Sequence, residues 1–575
     1  MKRQIALETT IVFIFLFACT APVMATPKQT QPQESAREAT SPASQLETSN
    51  SSLADFYDIG KPSLKDLYVS PSGSDENDGL SAATPLKTIG AIWGNIPQEV
   101  LNGTGYRINL GPGKYPCEGD CINYFAGRHG TLAFPILLQA ADGPGTVTLL
   151  GGLNLVDVSY VYLVDLTLEA GREAGAAFGN NVLHIEKGDH ILLRGLTLHG
   201  PQTCVTDECN DIQEVLKINQ SQYVYLEHSE LSGAFQTVLD FFSVQYGHLL
   251  ANRIHSSGGR CAYLKGGSAY FRVEGNEFSD CVEAGFQAGE GSNLAFMQTP
   301  WLHYEAYDIR VVNNLLHDIH GVGLSVSGGY NILMAYNTLY RVGMEDASGR
   351  PWALAQLIHG TRGCYAAEEF AGENGTQARC QQLLNQGGWG TAALGEENSG
   401  EWIPNRNIYI MNNLFYNPSG ATTRNVQFVV NGPLVPSEQT RNLSSPSATD
   451  ENLVIRGNVI WNKPIDAGGV VGDNNGSGNI GCRDDNPTCN TAQLLAENSI
   501  NAFEPQLRDP ANGDFHPKAD SNLLAVHADP IPEFSWADAP VKPAVSPGTS
   551  RNQVMRDFDN LLRFTDGVVG AFGVR

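Results

Sequence analysis

Four segments of the chain repeat one pattern: LLANRIHSSG (249–258), FRVEGNEFSD (271–280), IRVVNNLLHD (309–318) and ILMAYNTLYR (332–341). Each consists of a short apolar run, an asparagine, two or three further apolar residues and a polar break. The repeats are spaced by 24, 38 and 23 residues, measured between the asparagines Asn252, Asn276, Asn314 and Asn337. The middle spacing is one period plus an insertion. The same pattern returns further along the chain as IYIMNNLFYN (408–417) and LVIRGNVIWN (453–462).

A repeat of this length indicates a solenoid, because a unit with a single apolar edge must stack on copies of itself to bury that edge. Each unit holds three strand-sized pieces, rich in Leu, Ile, Val and Phe, as is typical of covered parallel strands. Asparagine tolerates left-handed backbone and can bond the equivalent residue one coil away, so we expect an asparagine ladder inside the bends. The sequence therefore predicts an all-β fold, a right-handed parallel β-helix. A β-sandwich or a propeller would need tight hairpins, and the NG and DG dipeptides here mostly fall in loops.

The composition limits the classes of partner. The chain has 575 residues and a formal net charge of −25, with 61 glycines that suit many turns between short strands. An acidic surface repels nucleic acid and anionic lipid heads, so neither is expected as a partner. A polyanionic substrate would need a local basic patch or a bound cation. We expect a monomer.

The first residues have the features of a secretory signal: Lys2 and Arg3, an apolar run over 11–17, then small residues. Two cleavage positions compete. Ordinary signal peptidase fits Val23-Met24-Ala25, whereas Leu16-Phe17-Ala18-Cys19 resembles a bacterial lipobox, with Phe17 in place of the usual small residue. Removing Cys19 from the 11 cysteines leaves an even number, which favours lipidation at Cys19. The predicted location is the outer membrane through this anchor, or the periplasm or exterior.

The other ten cysteines lie in close pairs, which in an exported chain predicts disulfides. The separation of Cys261 and Cys281, 20 residues, is close to one coil. Adjacent coils lie about 4.8 Å apart, within the range of Cα separations that a disulfide accepts. Local pairing predicts Cys117–Cys121, Cys204–Cys209, Cys261–Cys281, Cys364–Cys380 and Cys482–Cys489.

The chain divides into a signal peptide (1–25), a disordered tether rich in Ser, Thr, Gln and Pro (26–64), the β-helix (65–530) and a closing segment (531–575). Two long insertions interrupt the coils, at 344–406 and 434–450. Insertions of this length are usually functional or disordered. We expect the first one, which carries cysteines and tryptophans, to be ordered and to form a wall of a groove along one face.

The run GSDENDGLSAATPLKTI (73–89), followed by INLGPGKY (108–115), resembles the N-terminal cap of secreted pectate-lyase-like β-helix proteins. The end of the chain, DFDNLLRFTDGVVGAFG (557–573), resembles their closing segment. Many of these proteins are polysaccharide lyases or glycoside hydrolases, so the resemblance implies the fold and a polysaccharide substrate. The motifs that define particular substrates, DGxDxK-like, NGGxE-like or a trio of aspartates, do not occur here, and the resemblance leaves the reaction open.

Alternation within one strand of each coil separates inward from outward side chains and predicts an exposed stripe. In VLKIN (215–219), for example, Leu216 and Ile218 point inward and Lys217 points outward. Stacking the coils gives the members of the stripe: Lys217, Asp240, Tyr263, Lys265, Gln287, Glu290, Ser325 and Ser327. We expect this stripe to be the floor of a saccharide groove.

β-Elimination on a uronate chain needs a base for the C5 proton and a positive partner for the carboxylate. The sequence predicts Lys265 as the base, with Lys217, or a Ca²⁺ held by Asp240 and Glu290, as the positive partner. The resemblance supports this choice, because β-helix lyases use a lysine or arginine base. The predicted substrate-binding residues are Tyr263, Gln287, Tyr304 and Ser325.

Two other interpretations stay open. A glycoside hydrolase would use two carboxylates, and Asp240 with Glu290, two coils apart, or Glu305 are the candidates. A non-catalytic glycan-binding or envelope protein would use the same charges as surface ion pairs, each contributing about 0–1 kcal/mol.

Overall fold

The computed structural model describes residues 56–116, 122–169, 181–201, 212–344, 353–364, 375–389, 402–418, 426–436, 443–462, 469–473, 478–535, 551–563 and 567–573. All of them belong to one compact unit, residues 51–575. Within it, parallel strands stack coil upon coil into three faces. This is the parallel β-helix that the repeat predicts.

Faces 1 and 2 belong to one 21-stranded sheet, because two long strands run through both of them. The strands of face 1 are Ile122–His129, the first halves of Gly152–Val164 and Asn181–Arg194, Glu214–Asn219, Thr237–Phe242, Arg260–Lys265, Ala284–Ala288, Val322–Ser327, Ala355–Ile358, Phe428–Val430 and Val471–Gly472. The strands of face 2 are Leu64–Val69, Gly105–Leu110, Ile136–Ala140, the second halves of the two long strands, Gln222–Glu227, Gln245–Leu250, Ser268–Glu274, Ala306–Val312, Gly329–Ala335, Arg406–Met411 and Glu451–Arg456.

Face 3 is a separate 12-stranded sheet. Its strands are Gly113–Tyr115, Val147–Leu150, Thr167–Glu169, Thr197–His199, Glu230–Ala234, Arg253–Ser257, Glu277–Cys281, Leu315–Ile319, Thr338–Val342, Leu414–Asn417, Val459–Asn462 and Ser499–Ile500. Helices are few among the described residues: Ile89–Gly94, Gly375–Gln386 and Thr491–Glu497, with 3-10 turns at Leu294–Phe296, Pro510–Asn512 and Asn522–Ala525. None of the helices in these residues is long and apolar enough to cross a membrane.

The core consists of side chains that repeat at the same position of successive coils. On face 1 one inner row is fully buried and in register: Leu183, Leu216, Leu239, Ala262, Phe286, Leu324 and Ala355. Burial of one Leu or Phe side chain contributes about 1.5–3 kcal/mol, so each added coil stabilises its neighbours through such rows.

The predicted asparagine ladder is confirmed at the corner between faces 2 and 3. From Asn276 onward, each Oδ1 atom accepts bonds from both the backbone N–H and the Nδ2 of the asparagine one coil earlier, at 2.8–3.1 Å, and the Oδ1 of the first member, Asn252, accepts one from the N–H of Ser229. The residues of the ladder are Asn252, Asn276, Asn314, Asn337, Asn413, Asn458 and Asn498. Each of them is buried, so the bonds satisfy backbone groups that have no access to water.

The three corners differ in length. From Val164 to Val459, each crossing from face 2 to face 3 takes two residues. The crossings that border face 1 vary widely, as in 170–180, 200–213, 289–305, 359–405 and 431–450. In the order of the chain, the long connections therefore precede or follow strands of face 1.

The predicted insertion 344–406 is not continuous. Ala355–Ile358 lies inside it and pairs in parallel with Val322–Ser327 and Phe428–Val430, so one coil of face 1 divides it. Its second part contributes to a three-stranded side sheet of Gly291–Asn293, Gly360–Gly363 and Trp402–Ile403. Strand alternation missed this coil because it is only four residues long.

The segment that resembles an N-terminal cap ends in a short helix: Thr88 caps the helix Ile89–Gly94 by accepting a bond from the N–H of Ala91 at 3.1 Å. The predicted tether extends to residue 64, but its last residues are packed. Tyr57 stacks on Tyr225 and its hydroxyl bonds that of Tyr162 at 2.9 Å. Residues 1–55, with both cleavage positions and Cys19, lie outside the described residues.

Three of the predicted disulfides are present: Cys261–Cys281, Cys364–Cys380 and Cys482–Cys489. The predicted pairs Cys117–Cys121 and Cys204–Cys209 lie outside the described residues. Disulfides persist in oxidising compartments, so the three that are present support an exported protein.

Candidate functional site

Outward side chains of face 1 form two parallel rows. Strand register aligns the first row across eight coils: Asn154, His184, Lys217, Asp240, Tyr263, Gln287, Ser325 and Gln356. The second row, two residues further along each strand, contains Asn219, Phe242 and Lys265. The register of the predicted stripe is thus confirmed from Lys217 to Ser325, with Lys265 in the adjacent row.

Lys217 lies at the centre of a first ion cluster. Its Nζ is 2.6 Å from Asp240 Oδ2 in the next coil and 3.2 Å from Glu214 Oε1. Only 1% of the Asp240 side chain and 7% of the Glu214 side chain are exposed, against 25% of Lys217. The ammonium group therefore separates two buried carboxyl groups from solvent.

Burial and neighbouring charges shift the pKa values of these three groups in different directions. Burial raises the pKa of Glu214. Burial also acts against ionisation of Asp240, but the charges of Lys217 and Lys265 outweigh it and lower the pKa of that carboxyl. Burial disfavours the Lys217 cation, whereas Asp240 and Glu214 raise its pKa, so Lys217 stays charged.

A second ion cluster surrounds Glu290. Lys265 Nζ is 2.7 Å from Glu290 Oε2, and Arg260 Nη2 is 3.0 Å from Glu290 Oε1. Arg260 also pairs with Glu283 at 2.9 Å. Burial would lower the pKa of Lys265, but Glu290 and Asp240 more than offset this and raise it. The same contacts with Lys265 and Arg260 overcome burial and lower the pKa of Glu290.

Tyr263 joins the two clusters. Its ring lies 4.3 Å from Lys265 Nζ and 5.5 Å from the guanidinium carbon of Arg260, which are cation–π distances. Burial, with the negative charges of Asp240 and Glu290, raises the pKa of Tyr263 well above its ordinary value. The phenol is therefore protonated at neutral pH and can donate a proton or a hydrogen bond.

Several predicted site residues lie on the outer side of the sheet but are covered. Asp240, Gln287 and Ser325 are 0%, 3% and 0% exposed, and Tyr263 is 6% exposed. Gln287 accepts a bond from Arg260 Nε at 3.0 Å, and the Ser325 hydroxyl accepts one from Gln356 at 3.0 Å. Alternation predicts on which side of a strand a side chain lies, but it does not predict whether other side chains cover it. The solvent-exposed part of the first row is therefore smaller than predicted.

Glu305 and Tyr304 have structural roles, contrary to the prediction. Glu305 is fully buried, pairs with Arg362 at 2.6 Å and accepts bonds from the Ser292 hydroxyl and from the N–H of Gly266. Tyr304 is buried and stacks on Tyr330. A carboxylate neutralised on all sides cannot contact substrate. Glu305 instead connects the backbone after Lys265 to the side sheet.

The carboxylates of Asp240 and Glu290, the predicted Ca²⁺ ligands, are paired with lysine and arginine side chains, and a Ca²⁺ site there stays a prediction. Among the described residues, no group of three or more His, Cys, Asp or Glu side chains is arranged to hold a metal ion.

The stripe omitted three residues of this surface. His184 precedes Lys217 in the first row, and burial lowers the pKa of its imidazole. Alternation in VLHIE (182–186) would have found it. Glu214 and Arg260 begin their strands, and an irregular step at that point breaks strict alternation.

The comparisons with known proteins agree with the fold. Residues 181–343 match the family described as "Right handed beta helix region", which covers the coils that carry both ion clusters. The match and the strand topology together define the fold as a right-handed parallel β-helix. No curated protein sequence matches the chain.

Three solved structures illustrate the likeness. Pectate lyase Pel9A has a TM-score of 0.38 at 13% identity, with 64% of this chain and 78% of that one covered. The A-module of the mannuronan C-5 epimerase AlgE6 of Azotobacter vinelandii has a TM-score of 0.34 at 12% sequence identity, with 64% of this chain and 91% of that chain covered. The GH136 lacto-N-biosidase of Eubacterium ramulus has a TM-score of 0.39 at 13% sequence identity, with 68% of this chain and 67% of that chain covered. At these scores the likeness concerns the type of fold, and no activity follows from it.

Proposed function

We propose that the protein is an exported enzyme that binds a uronate-containing polysaccharide along face 1 and cleaves it by β-elimination. The observation that carries the proposal is a group of three cations in a chain of net charge −25. Lys217 lies two coils before Arg260 and Lys265, which share one strand, and the three side chains are 25%, 25% and 14% exposed. The carboxylates next to Lys217 are buried, whereas Glu283 and Glu290, the partners of Arg260 and Lys265, are 46% and 28% exposed. A polyanionic substrate would bind these cations by displacing the two exposed carboxylates.

The cluster can bind the substrate carboxylate and stabilise the carbanion that forms next to it. Coils lie about 4.8 Å apart, so Lys217 and Lys265, which are two coils apart, are separated along the stack by about 9.6 Å and suit uronates that are not adjacent in the chain. The buried partners of Lys217 hold the ammonium in place before substrate arrives, which avoids the cost of ordering a free lysine.

We assign proton abstraction to Lys265 and leaving-group protonation to Tyr263. The neutral amine takes the C5 proton, the bond between C4 and its oxygen breaks, a C4–C5 double bond forms, and the phenol gives its proton to the departing oxygen. Lys265 Nζ lies 4.3 Å from the centre of the Tyr263 ring, so the two groups are close enough to act on one sugar residue once the substrate displaces the groups that cover the tyrosine. Because Glu290 raises the pKa of Lys265, the neutral amine is scarce at pH 7. The rate should therefore rise about tenfold per pH unit into the alkaline range.

Purified protein incubated with polygalacturonate, alginate, hyaluronate and rhamnogalacturonan, and followed by the ultraviolet absorbance of unsaturated uronate ends, tests the proposal. Lys265→Met should abolish the signal with an unchanged melting curve, whereas Lys114→Met, a lysine 69% exposed at the N-terminal end, should behave as the wild type. A rate that is already maximal at neutral pH would transfer the base role to His184, whose imidazole is neutral there.

A glycoside hydrolase is the second candidate, supported by the opposite pKa shifts of Glu214 and Asp240. Paired carboxyl groups with separated pKa values are typical of an acid and its partner. One oxygen of Glu214 lies 3.2 Å and one oxygen of Asp240 lies 2.6 Å from the same atom, Lys217 Nζ, and these two distances set an upper limit on the separation of the two carboxylate oxygens. In retaining glycosidases the two carboxyl groups are about 5–5.5 Å apart, which is within that limit. Reducing ends without new absorbance, lost in Glu214→Gln, would establish this reaction.

A protein that retains polysaccharide on an affinity gel and yields neither product would be a glycan-binding or envelope protein. The lipid anchor at Cys19 and an outer-membrane location remain part of the proposal. Incorporation of labelled fatty acid, lost in Cys19→Ala, tests them.

A further inference from the structure

We propose that Phe242 and Phe296 form an aromatic subsite that stacks on the apolar face of the sugar residue next to the one from which Lys265 takes the proton. The inference rests on the proposed function for the class of ligand, an acidic saccharide. The two rings lie 6.2 Å apart, nearly perpendicular at 84°. Phe242 is directly in register with Lys265 in the adjacent coil.

Phe296 lies in an insertion rather than in a regular coil. It ends the 3-10 turn Leu294–Phe296 in the crossing from face 1 to face 2. Leu294 and Met297 beside it are buried at 2% and 0%, whereas Phe296 is 39% exposed. The turn thus anchors its neighbours and presents one large aromatic side chain to solvent.

The turn is held from both sides, so the exposed ring is pre-positioned. Its buried residues pack in one apolar cluster with the disulfide Cys364–Cys380 and with Leu383 of the helix Gly375–Gln386. On the side facing the coils, Gln220 Nε2 donates to the Phe296 carbonyl at 2.9 Å, and Gln298 Nε2 donates to the Gln220 carbonyl at 3.1 Å. A rigid aromatic side chain loses little entropy on binding.

Gly266 explains why the second ring fits. A Cβ atom at Gly266 would lie 2.8 Å from the ring of Phe242, and the residue has a φ of +63°. The glycine after Lys265 therefore allows the Phe242 ring to lie against the next coil, beside the lysine. An acidic sugar chain along face 1 would meet an apolar surface and a cation side by side, which matches the two surfaces of a pyranose uronate.

Affinity electrophoresis of the full chain with the same four polysaccharides, at low and high salt, tests the subsite. Phe296→Ala should weaken binding about three- to tenfold at both salt concentrations, because stacking is apolar. Phe296→Tyr, which keeps the ring, should bind as the wild type. Leu132→Ala, which removes another exposed apolar side chain (56% exposed), is the matched control. Lys217→Met should weaken binding mainly at low salt.

The outcomes separate the two proposals. Wild-type binding that depends on salt and on Lys217 but is unchanged in Phe296→Ala would overturn the subsite alone. Absence of binding to all four polysaccharides would overturn the proposed function and the subsite with it. Equal weakening in Phe296→Ala and Leu132→Ala would also overturn the subsite, because the effect would then be nonspecific.

Discussion

Replacement of Asn314 by alanine tests the asparagine ladder at its centre. The Oδ1 atom of Asn314 accepts bonds from the N–H and the Nδ2 of Asn276, both at 3.0 Å. Its own Nδ2 donates to the carbonyls of Val273 and Val312 and to Asn337 Oδ1, at 2.9–3.0 Å. The alanine leaves the buried N–H of Asn276 without this acceptor and the carbonyl of Val273 without this donor. Each such group costs about 1–3 kcal/mol, so we expect a loss of about 2–6 kcal/mol in the free energy of unfolding.

Urea denaturation followed by far-ultraviolet circular dichroism measures this loss as a shift of the midpoint at constant slope. Asn512→Ala is the control, because that side chain is exposed and its Nδ2 bonds Asp509 within its own turn; a change within about 0.5 kcal/mol is expected. A loss below about 1 kcal/mol in Asn314→Ala would refute the reasoning, since water or a backbone shift would then be replacing the ladder bonds.

Three further predictions follow from contacts outside that corner. The carboxylates facing His317 outweigh the effect of burial and raise the pKa of its imidazole to about 9. The contribution of this cation to the free energy of unfolding should therefore be complete below pH 6.5 and be lost as the pH rises through 9. His317→Gln should flatten that part of the stability–pH curve. Glu305→Gln removes the counter-charge of buried Arg362 and should cost about 3–5 kcal/mol by urea denaturation, without changing the pH dependence of activity in the folded fraction. Cys261→Ser with Cys281→Ser opens a 20-residue loop and should cost about 3 kcal/mol, whereas reductant should leave the stability of this variant less affected than that of the wild type.

The repeat predicted the fold because it is a local property of the sequence. Periodic apolar residues and the spacing of Asn252 and Asn276 specify strands, corners and coil length without reference to distant residues. The Cys261–Cys281 disulfide followed from the same coil spacing. The short strand Ala355–Ile358 was missed because four residues inside a long insertion carry too little periodicity to be recognised.

The candidate site was predicted only in part. Register follows from alternation, so the row from Lys217 to Ser325 was predictable. Exposure depends on the side chains of neighbouring coils and on inserted segments, which is why Asp240 and Ser325 are buried. Glu305 shows the same limit, because its partner Arg362 is 57 residues away in sequence. The surface around Phe296 is formed by a nonperiodic loop, and the periodicity of the repeat does not predict the conformation of such a loop.

The unequal corners have an evolutionary consequence. The two-residue crossing between faces 2 and 3 is occupied by the ladder, and a residue added there would move the asparagine of that coil out of line with its partners. The crossings on either side of face 1 vary in length, from one residue at Gly328 to the long segment 359–405, although a short second run of bonded asparagines, Asn417 and Asn462, ends two coils of face 3. Substrate preference in such a solenoid can therefore diversify by loop exchange at these two edges, while the remaining corner preserves the alignment of the coils.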